Sequence, residues 1–397
     1  MRFQAKHTRL ACYLAYIAGA TVNNLPALLF VTFRKDYALT LEALASLVMV
    51  NFAVQMCVDI LGAKYADRIG YRRVAMISMG FCALGLVSLA VLPRCLPPYA
   101  GLCAATVAYA IGSGLSEVII SPIVEALPAS GAGSMSLLHA FYCIGFVIMV
   151  ALSTLFFRVC GTANWPVLSV LWAAVPAFDL WLFSRVPIVQ LRENEEKMPL
   201  AKLFSVKIIW VFLLLMVTSG AAEQSMGQWA SYFAETELHV SKQEADLLGP
   251  CLFAAAMGAA RMLYAAFAAG IPVRTALVGS GFFVAAGYML AALSPLPLAA
   301  LAGCAVSGFG VGVLWPGVLS LAAKRYPAGG TAMFGLLALG GDVGCFSGPF
   351  LVARASSAFT DGEPSVKTGI LAALIFPALL VTAAIAVGGD RKNTGKS

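Results

Sequence analysis

Charge is scarce in this chain. Only 11% of its 397 residues are Asp, Glu, Lys or Arg, whereas 60% are hydrophobic and the mean hydropathy is +0.87. A soluble globular domain carries about 25% charged and about 45 to 50% apolar residues. The composition therefore excludes a soluble enzyme. It predicts an all-α integral membrane protein, because apolar segments of this length cross a bilayer as helices.

Residues that carry catalytic or metal chemistry are also few. The chain has three histidines, at positions 7, 139 and 239, and none of its ten cysteines forms a CxxC pair. HExxH, GxSxG and ATP-binding signatures are absent as well. These absences argue against an intramembrane enzyme, and we expect no cofactor and no metal ion.

Long apolar segments occupy most of the chain. Since a transmembrane helix needs about 20 apolar residues, the sequence predicts twelve spans, near 10–33, 43–63, 74–93, 99–121, 134–158, 164–184, 207–232, 245–269, 273–293, 297–321, 330–354 and 366–388. The longest polar stretch divides them six and six. We therefore expect an N-terminal six-helix bundle over 1–184, a cytoplasmic linker over 185–206 and a C-terminal six-helix bundle over 207–397.

Two motifs suggest that the halves arose by duplication. Span 4 carries Gly114 and Pro122 with seven residues between them, and span 10 repeats this frame with Gly308 and Pro316. Repeated motifs in corresponding spans are typical of transporters built from two related bundles. The prediction is two pseudo-symmetric bundles.

The basic residues indicate the orientation in the membrane. If both termini are cytoplasmic, 18 of the 26 Lys and Arg residues fall on the inner side and only seven on the outer side. This is the positive-inside pattern. It explains the net charge of +7 without a nucleic-acid partner, and it predicts a multi-pass protein of the inner (cytoplasmic) membrane. We expect a monomer surrounded by lipid.

The predicted loop between spans 2 and 3 combines glycines, an aspartate and arginines: Gly62, Asp67, Arg68, Gly70, Arg72 and Arg73. It resembles the signature loop of the major facilitator superfamily, with Tyr71 inserted before the basic pair. An ordinary positive-inside loop is the alternative. The resemblance implies the twelve-helix fold of that superfamily and a cytoplasmic latch between the halves, with Asp67 meeting the start of span 11 near Thr331.

Two further segments are similar to the fucose-permease-like branch of that superfamily. They are Ser134–Gly145 in span 5 and Glu223–Trp229 in span 7. The resemblance implies a sugar:proton symporter. Fucose importers of that branch carry an acid in span 1, where this chain has Asn23 and Asn24.

Polar side chains inside the spans are the candidate substrate-binding groups, because such groups normally face a bundle interior or a water-filled cavity. Amides, a carboxylate and indoles together are suited to bind hydroxyl groups and to stack on a sugar ring. The alternatives are a Glu223 bonded to a neighbouring helix and a Trp315 that only packs. The candidates are Asn23, Asn24, Glu223, Gln224, Gln228, Trp229 and Trp315.

Four ionisable residues in the spans are candidates for proton coupling: Glu117, His139, Glu223 and Asp342. Glu117 and His139 lie at similar depth, so one interpretation is a pair that takes up and releases a proton. The other is a permanent hydrogen bond that pins spans 4 and 5. A polar stripe on span 2, which includes Asp59, is interpreted as mostly structural, and Asp179 is expected to meet a cytoplasmic arginine.

Together these features predict a secondary active transporter. It would move a small polar solute, in the first place a sugar, by alternating access and with protons. Proton-driven efflux of amphipathic compounds is the alternative, since 11% of the residues are aromatic.

Overall fold

The protein is a bundle of long helices. The computed structural model describes residues 4–125, 127, 132–188, 200–267, 271–326, 330–358 and 364–387, and within these ranges all regular structure is helical. The twelve spans are span 1 (Ala5–Leu28 and Phe30–Tyr37), span 2 (Leu41–Ile69), span 3 (Tyr71–Cys95), span 4 (Pro98–Glu125), span 5 (Ala132–Cys160), span 6 (Trp165–Arg185), span 7 (Lys207–Gly227 and Ala230–Glu237), span 8 (Lys242–Asp246, the π-helical Leu247–Cys251 and Leu252–Phe267), span 9 (Val273–Leu293), span 10 (Pro297–Val311 and Leu314–Arg325), span 11 (Gly330–Ala358) and span 12 (Val366–Ala372 and Ile375–Ala386). Short helices at Thr162–Asn164 and Leu200–Phe204 complete the described elements.

These helices confirm the predicted all-α membrane fold. Eleven of them are long and apolar enough to cross a bilayer, and the bent pair that forms span 1 brings the number to twelve. The two parts of span 1 meet at 47°. Pro26 lies in the last turn before this bend, where its missing N–H removes a helical hydrogen bond.

Spans 1 and 7 are broken at corresponding places. Span 1 restarts after Leu29, and span 7 restarts after Gln228 and Trp229. In each case the carbonyl of the residue before the second helix accepts a hydrogen bond from the backbone N–H four residues later. Phe33 donates to Leu29 and Phe233 donates to Trp229, both at 2.7 Å. The second helices therefore begin 200 residues apart in the chain, as expected for two related halves.

The third helix of each half is tied to the sixth by an arginine. Arg72, at the start of span 3, donates to the carbonyl of Phe183 at 3.0 Å. Arg274, 202 residues later, donates to the carbonyl of Ile385 at 2.7 Å. The last carbonyls of a helix lack partners and carry partial negative charge, so each arginine both caps a helix and closes its half.

Glycines of spans 4 and 10 make similar contacts in the two halves. Gly114 of span 4 packs on Gln55 of span 2, where an added Cβ would lie 3.2 Å from the Cα of Gln55. Gly308 and Gly312 of span 10 both pack on span 8, where an added Cβ would lie 2.3 Å from the carbonyl oxygen of Phe253 and 2.6 Å from that of Met257. The predicted equivalence of Gly114 with Gly308 stays a prediction.

The signature loop has the backbone that its glycines predict. Gly70 adopts φ 91°, a conformation that side chains with a Cβ disfavour, and Gly62 approaches Val118 of span 4 so closely that an added Cβ would lie 3.0 Å away. Arg68 and Arg73 are exposed. The predicted latch between Asp67 and Thr331 lies outside the described side chains.

We call the end of the bundle that carries Arg68–Arg73 the basic end, and the other the sealed end. At the sealed end the halves are joined by Lys35 and Glu235, whose charged atoms are 3.7 Å apart. Arg34 also donates to the hydroxyl of Tyr232 there. The first half contacts the second along spans 2 and 11 and along spans 5 and 8.

Candidate functional site

A network of buried amides lies in the first half beside the bend of span 1. The side-chain oxygen of Asn23 accepts from Asn51 at 3.1 Å and from Gln55 at 3.2 Å, and its nitrogen donates to Ser113 at 3.2 Å. The network joins spans 1, 2 and 4. Buried amides are found where their hydrogen bonds are satisfied, so Asn23 is held in one orientation.

Gln228 connects this network to the second half. Its side-chain nitrogen lies 3.2 Å from the carbonyl of Asn23, 3.4 Å from the side-chain oxygen of Asn24 and 2.9 Å from that of Gln224. Asn24 in turn donates to the hydroxyl of Tyr142 at 3.1 Å. The broken segments of spans 1 and 7 therefore meet at a small set of buried amides.

An ion pair lies close to these amides. A guanidinium nitrogen of Arg261 on span 8 is 3.8 Å from a carboxylate oxygen of Glu223, and the two side chains are only 12% and 11% exposed. Arg261 also donates to the carbonyls of Gly312 at 3.2 Å and His139 at 3.4 Å, and to the sulfur of Cys143 at 3.2 Å. It thus contacts three other spans, one of them in the first half.

Arg261 was not among the residues predicted for the site. The sequence places it within or near the inner end of span 8, where an arginine is usually interpreted as a topology signal. The informative signal is its neighbours, because positions 251–260 and 262–269 contain no other charged residue. A lone charge in an apolar run is by default a functional candidate.

The two tryptophans differ in accessibility. Trp229 is fully buried, with its ring 5.3 Å from that of Phe30 and its N–H bonded to the carbonyl of Pro349 at 3.1 Å. Phe30 covers its ring in this conformation, and the predicted stacking of Trp229 on a sugar stays a prediction. Trp315 is partly exposed, and its ring lies on Gly341, where an added Cβ would be 2.3 Å from the indole. Its indole nitrogen has no hydrogen-bond partner among the described residues.

Glu117 and His139 do not pair. A carboxylate oxygen of Glu117 instead lies within 4.8 Å of one from Asp59 and one from Asp342. The ring of His139 packs edge-on against Tyr16, with centroids 5.5 Å apart. Both Glu117 and His139 are accessible.

Two other expectations concern acidic residues. Asp59 is part of this three-carboxylate group, and its interpretation as mostly structural stays a prediction. In the described part of the chain this group is also the one set of side chains placed to hold a metal ion. Asp179 is fully buried, and neither of its oxygens has a hydrogen-bond partner among the described residues. The predicted contact of Asp179 with an arginine is therefore wrong.

Known proteins share this architecture. "Membrane protein MosC" of Rhizobium meliloti is 24% identical over 368 residues, which cover 91% of this chain and 85% of that protein. Among solved structures, a D-xylose-proton symporter superposes with a TM-score of 0.78 at 14% identity, covering 96% of both chains. The nucleoside transporter NupG superposes with a TM-score of 0.74 at 13% identity, covering 96% of this chain and 97% of that one.

The structural similarities concern the fold, and the assignment to a fucose-permease-like branch stays a prediction. The family model named Major Facilitator Superfamily matches residues 11–349, which is most of the chain. With twelve helical spans and buried polar groups where the halves meet, the chain belongs to the Major Facilitator Superfamily of membrane transporters.

Proposed function

We propose that this transporter moves a small polyhydroxylated solute, in the first place a sugar, together with protons across the cytoplasmic membrane. The observation that carries the proposal is the polar cluster between the halves, in which Gln228 contacts both Asn23 and Asn24 next to the Arg261–Glu223 pair. A site between two bundles suits alternating access, because it is exposed in turn as the halves rock.

The chemistry of this cluster suits hydroxyl groups. Amide side chains offer donors and acceptors together, as does the hydroxyl of Tyr142, and the indole N–H of Trp315 is an additional donor. A hydroxylated solute that enters between Gln228 and Asn24 replaces a contact between the halves with contacts to itself. Its affinity then differs between the open and closed arrangements, which is the condition for a ligand to shift a conformational equilibrium.

The conformation fits an inward-facing state. Lys35 and Glu235 join the halves at the sealed end, whereas Glu117 and His139, which lie nearer the basic end, are accessible. The distribution of Lys and Arg places the basic end in the cytoplasm, so we infer that these two residues are reached from the inner side. We propose this orientation, a monomer, and the division into 1–184, 185–206 and 207–397.

Proton coupling is proposed to involve Glu223 first. A carboxylate held 3.8 Å from a guanidinium is stabilised in its charged form, and protonation removes that attraction. Arg261 is then released from span 7 while it still contacts span 5. Glu117, His139 and Asp342 are the other proposed participants. The name of the D-xylose-proton symporter states that this structural relative couples a sugar to protons, which supports the choice of solute and ion.

The test is uptake into proteoliposomes with an imposed proton gradient, using a panel of radiolabelled pentoses and hexoses. In the variant Glu223→Gln we expect gradient-driven accumulation to fall to background while counterflow continues, because binding and rocking persist without a titrating carboxylate. Glu244→Gln is the matched control, since Glu244 is exposed and caps a helix start through Ser241, a role that glutamine retains.

Two results would contradict the proposal. Equal loss of accumulation and counterflow in Glu223→Gln, with the protein still folded, would remove Glu223 from coupling. Proton-driven extrusion of amphipathic dyes without uptake of any sugar would replace the proposed function by export.

A further inference from the structure

Three carboxylates from three different spans converge inside the bundle. Asp59 comes from span 2, Glu117 from span 4 and Asp342 from span 11, and one oxygen of each lies within 4.8 Å of the other two. Spans 2 and 4 belong to the first half and span 11 to the second. The cluster therefore lies across the boundary at which the halves must separate.

The cluster has little compensation for its charge. Asp342 is 4% exposed, and one of its oxygens has no hydrogen-bond partner among the described residues. One enclosed oxygen of Asp59 also has no hydrogen-bond partner there. No salt bridge to any of the three acids occurs in the described ranges. Of the basic groups on neighbouring spans, Arg261 is engaged with Glu223, and the ring of His139 packs on Tyr16.

Bare carboxylates this close repel one another, and one oxygen each of Asp59 and Asp342 is enclosed without a hydrogen-bond partner among the described residues. Burial and neighbouring like charge both favour the neutral form of an acid. A proton on one of the three carboxyl groups removes one negative charge and supplies a hydrogen-bond donor, which an ionised carboxylate lacks.

We propose that Asp59, Glu117 and Asp342 form a proton-binding site shared by the two halves and separate from the Arg261–Glu223 pair. Its place in the transport cycle rests on the proposed proton-coupled function, whereas its ability to hold a proton does not. The ligand we assign is a proton, because burial and neighbouring like charge both favour a neutral carboxyl group; binding of a metal ion is an outcome of the test.

The site links protonation to the position of the halves. With one proton shared, Asp59 and Asp342 hold span 2 against span 11. When the proton leaves, the O–H bond of one carboxyl breaks, the electron pair stays on its oxygen, and the accessible Glu117 is positioned to accept the proton and pass it to water. Three ionised carboxylates then repel across the boundary and favour separation of spans 2 and 11.

The experiment is infrared difference spectroscopy of the purified full-length protein, titrated from acid to alkaline pH without substrate. The wild type should show the carbonyl stretch of a protonated carboxyl group that disappears as the pH rises. Asp59→Asn and Asp342→Asn should each remove the part of this signal that comes from the cluster, since asparagine keeps the shape but has no carboxyl group, and leave the part that comes from other buried acids such as Asp179. Glu244→Gln should leave it unchanged. Using both aspartate variants keeps the test open if one of them fails to fold.

Persistence of the full signal in a folded Asp59→Asn or Asp342→Asn protein would overturn the proposal. So would its loss on replacing choline chloride with sodium or magnesium chloride at constant pH, because the site would then be a metal site. If the protein takes up sugar with protons but lacks this signal, the proposed function is supported and the shared proton site is contradicted. If the signal is present but no sugar is taken up, the proton site is supported and the proposed function is contradicted.

Discussion

Replacing Arg261 by alanine should abolish solute uptake, with initial rates at least about 100-fold below the wild type. Removing one partner of a buried ion pair costs about 3 to 5 kcal/mol, because the other charge stays buried and unpaired. Here that charge is Glu223, whose side chain is 11% exposed. If about 2.7 kcal/mol of this cost applies to the occupied site, the initial rate of uptake falls by a factor of about 100.

The geometry predicts that charge alone does not replace Arg261. Its guanidinium contacts Glu223, Gly312 and His139 at the same time, and a lysine ammonium does not reproduce this planar fork. Arg261→Lys should therefore recover the thermal stability of the protein but only a minor part of its transport. The double variant Arg261→Ala with Glu223→Gln should recover thermal stability, because no charge is left unpaired. It should not recover accumulation of the solute.

Uptake into proteoliposomes and thermal unfolding in detergent measure the two effects separately. Arg158→Ala is the control, because Arg158 is an exposed arginine of span 5 and its loss should change neither quantity. Wild-type uptake by a folded Arg261→Ala protein would show that the pair is dispensable, and the proposed binding site would lose its central charge.

Replacing Gly344 by alanine should destabilise the second half severely. At Gly344 an added Cβ would lie 2.0 Å from the carbonyl oxygen of Val217 and 2.7 Å from the backbone nitrogen of Ala221. These are backbone atoms of span 7, so no side chain can rotate away. Spans 7 and 11 would have to separate. Overpacking typically costs about 1 to 3 kcal/mol, and we expect the upper end of this range because the clash is with backbone atoms.

Gly335 on the same helix is the matched control. Nothing lies within 4 Å of a Cβ added there, so Gly335→Ala should be neutral or stabilise the helix by up to about 1 kcal/mol. Thermal unfolding and the yield of monodisperse protein compare the two variants. Equal stability of Gly344→Ala and Gly335→Ala would show that spans 7 and 11 do not pack as closely as described.

Hydropathy and single residues were sufficient to predict much of the fold. The spans follow from apolar length. The bend of span 1 lies beside Pro26, and the positive φ of the signature loop lies at Gly70. Each of these features depends on local chemistry, which a sequence displays directly.

The candidate site was harder to predict because it depends on contacts between distant segments. Asp59, Glu117 and Asp342 come from three spans in two halves, and no spacing in the sequence indicates that they meet. Trp229 was a candidate for stacking on a sugar because it is an aromatic residue next to polar ones in span 7. In the folded protein Phe30 of span 1 covers its ring. Arg261 was not predicted for the site, because its contacts with spans 5, 7 and 10 arise only on folding.

The arginines that cap spans 6 and 12 have a consequence for biosynthesis. Arg72 needs only the carbonyls around Phe183 and Val186 to complete its contacts, and all of these are translated before span 7 begins. The contact that ties span 3 to span 6 can therefore form while the ribosome is still producing span 7. Arg274 ties span 9 to Ala384 and Ile385 in the same way, so this second contact forms only after span 12 has been made.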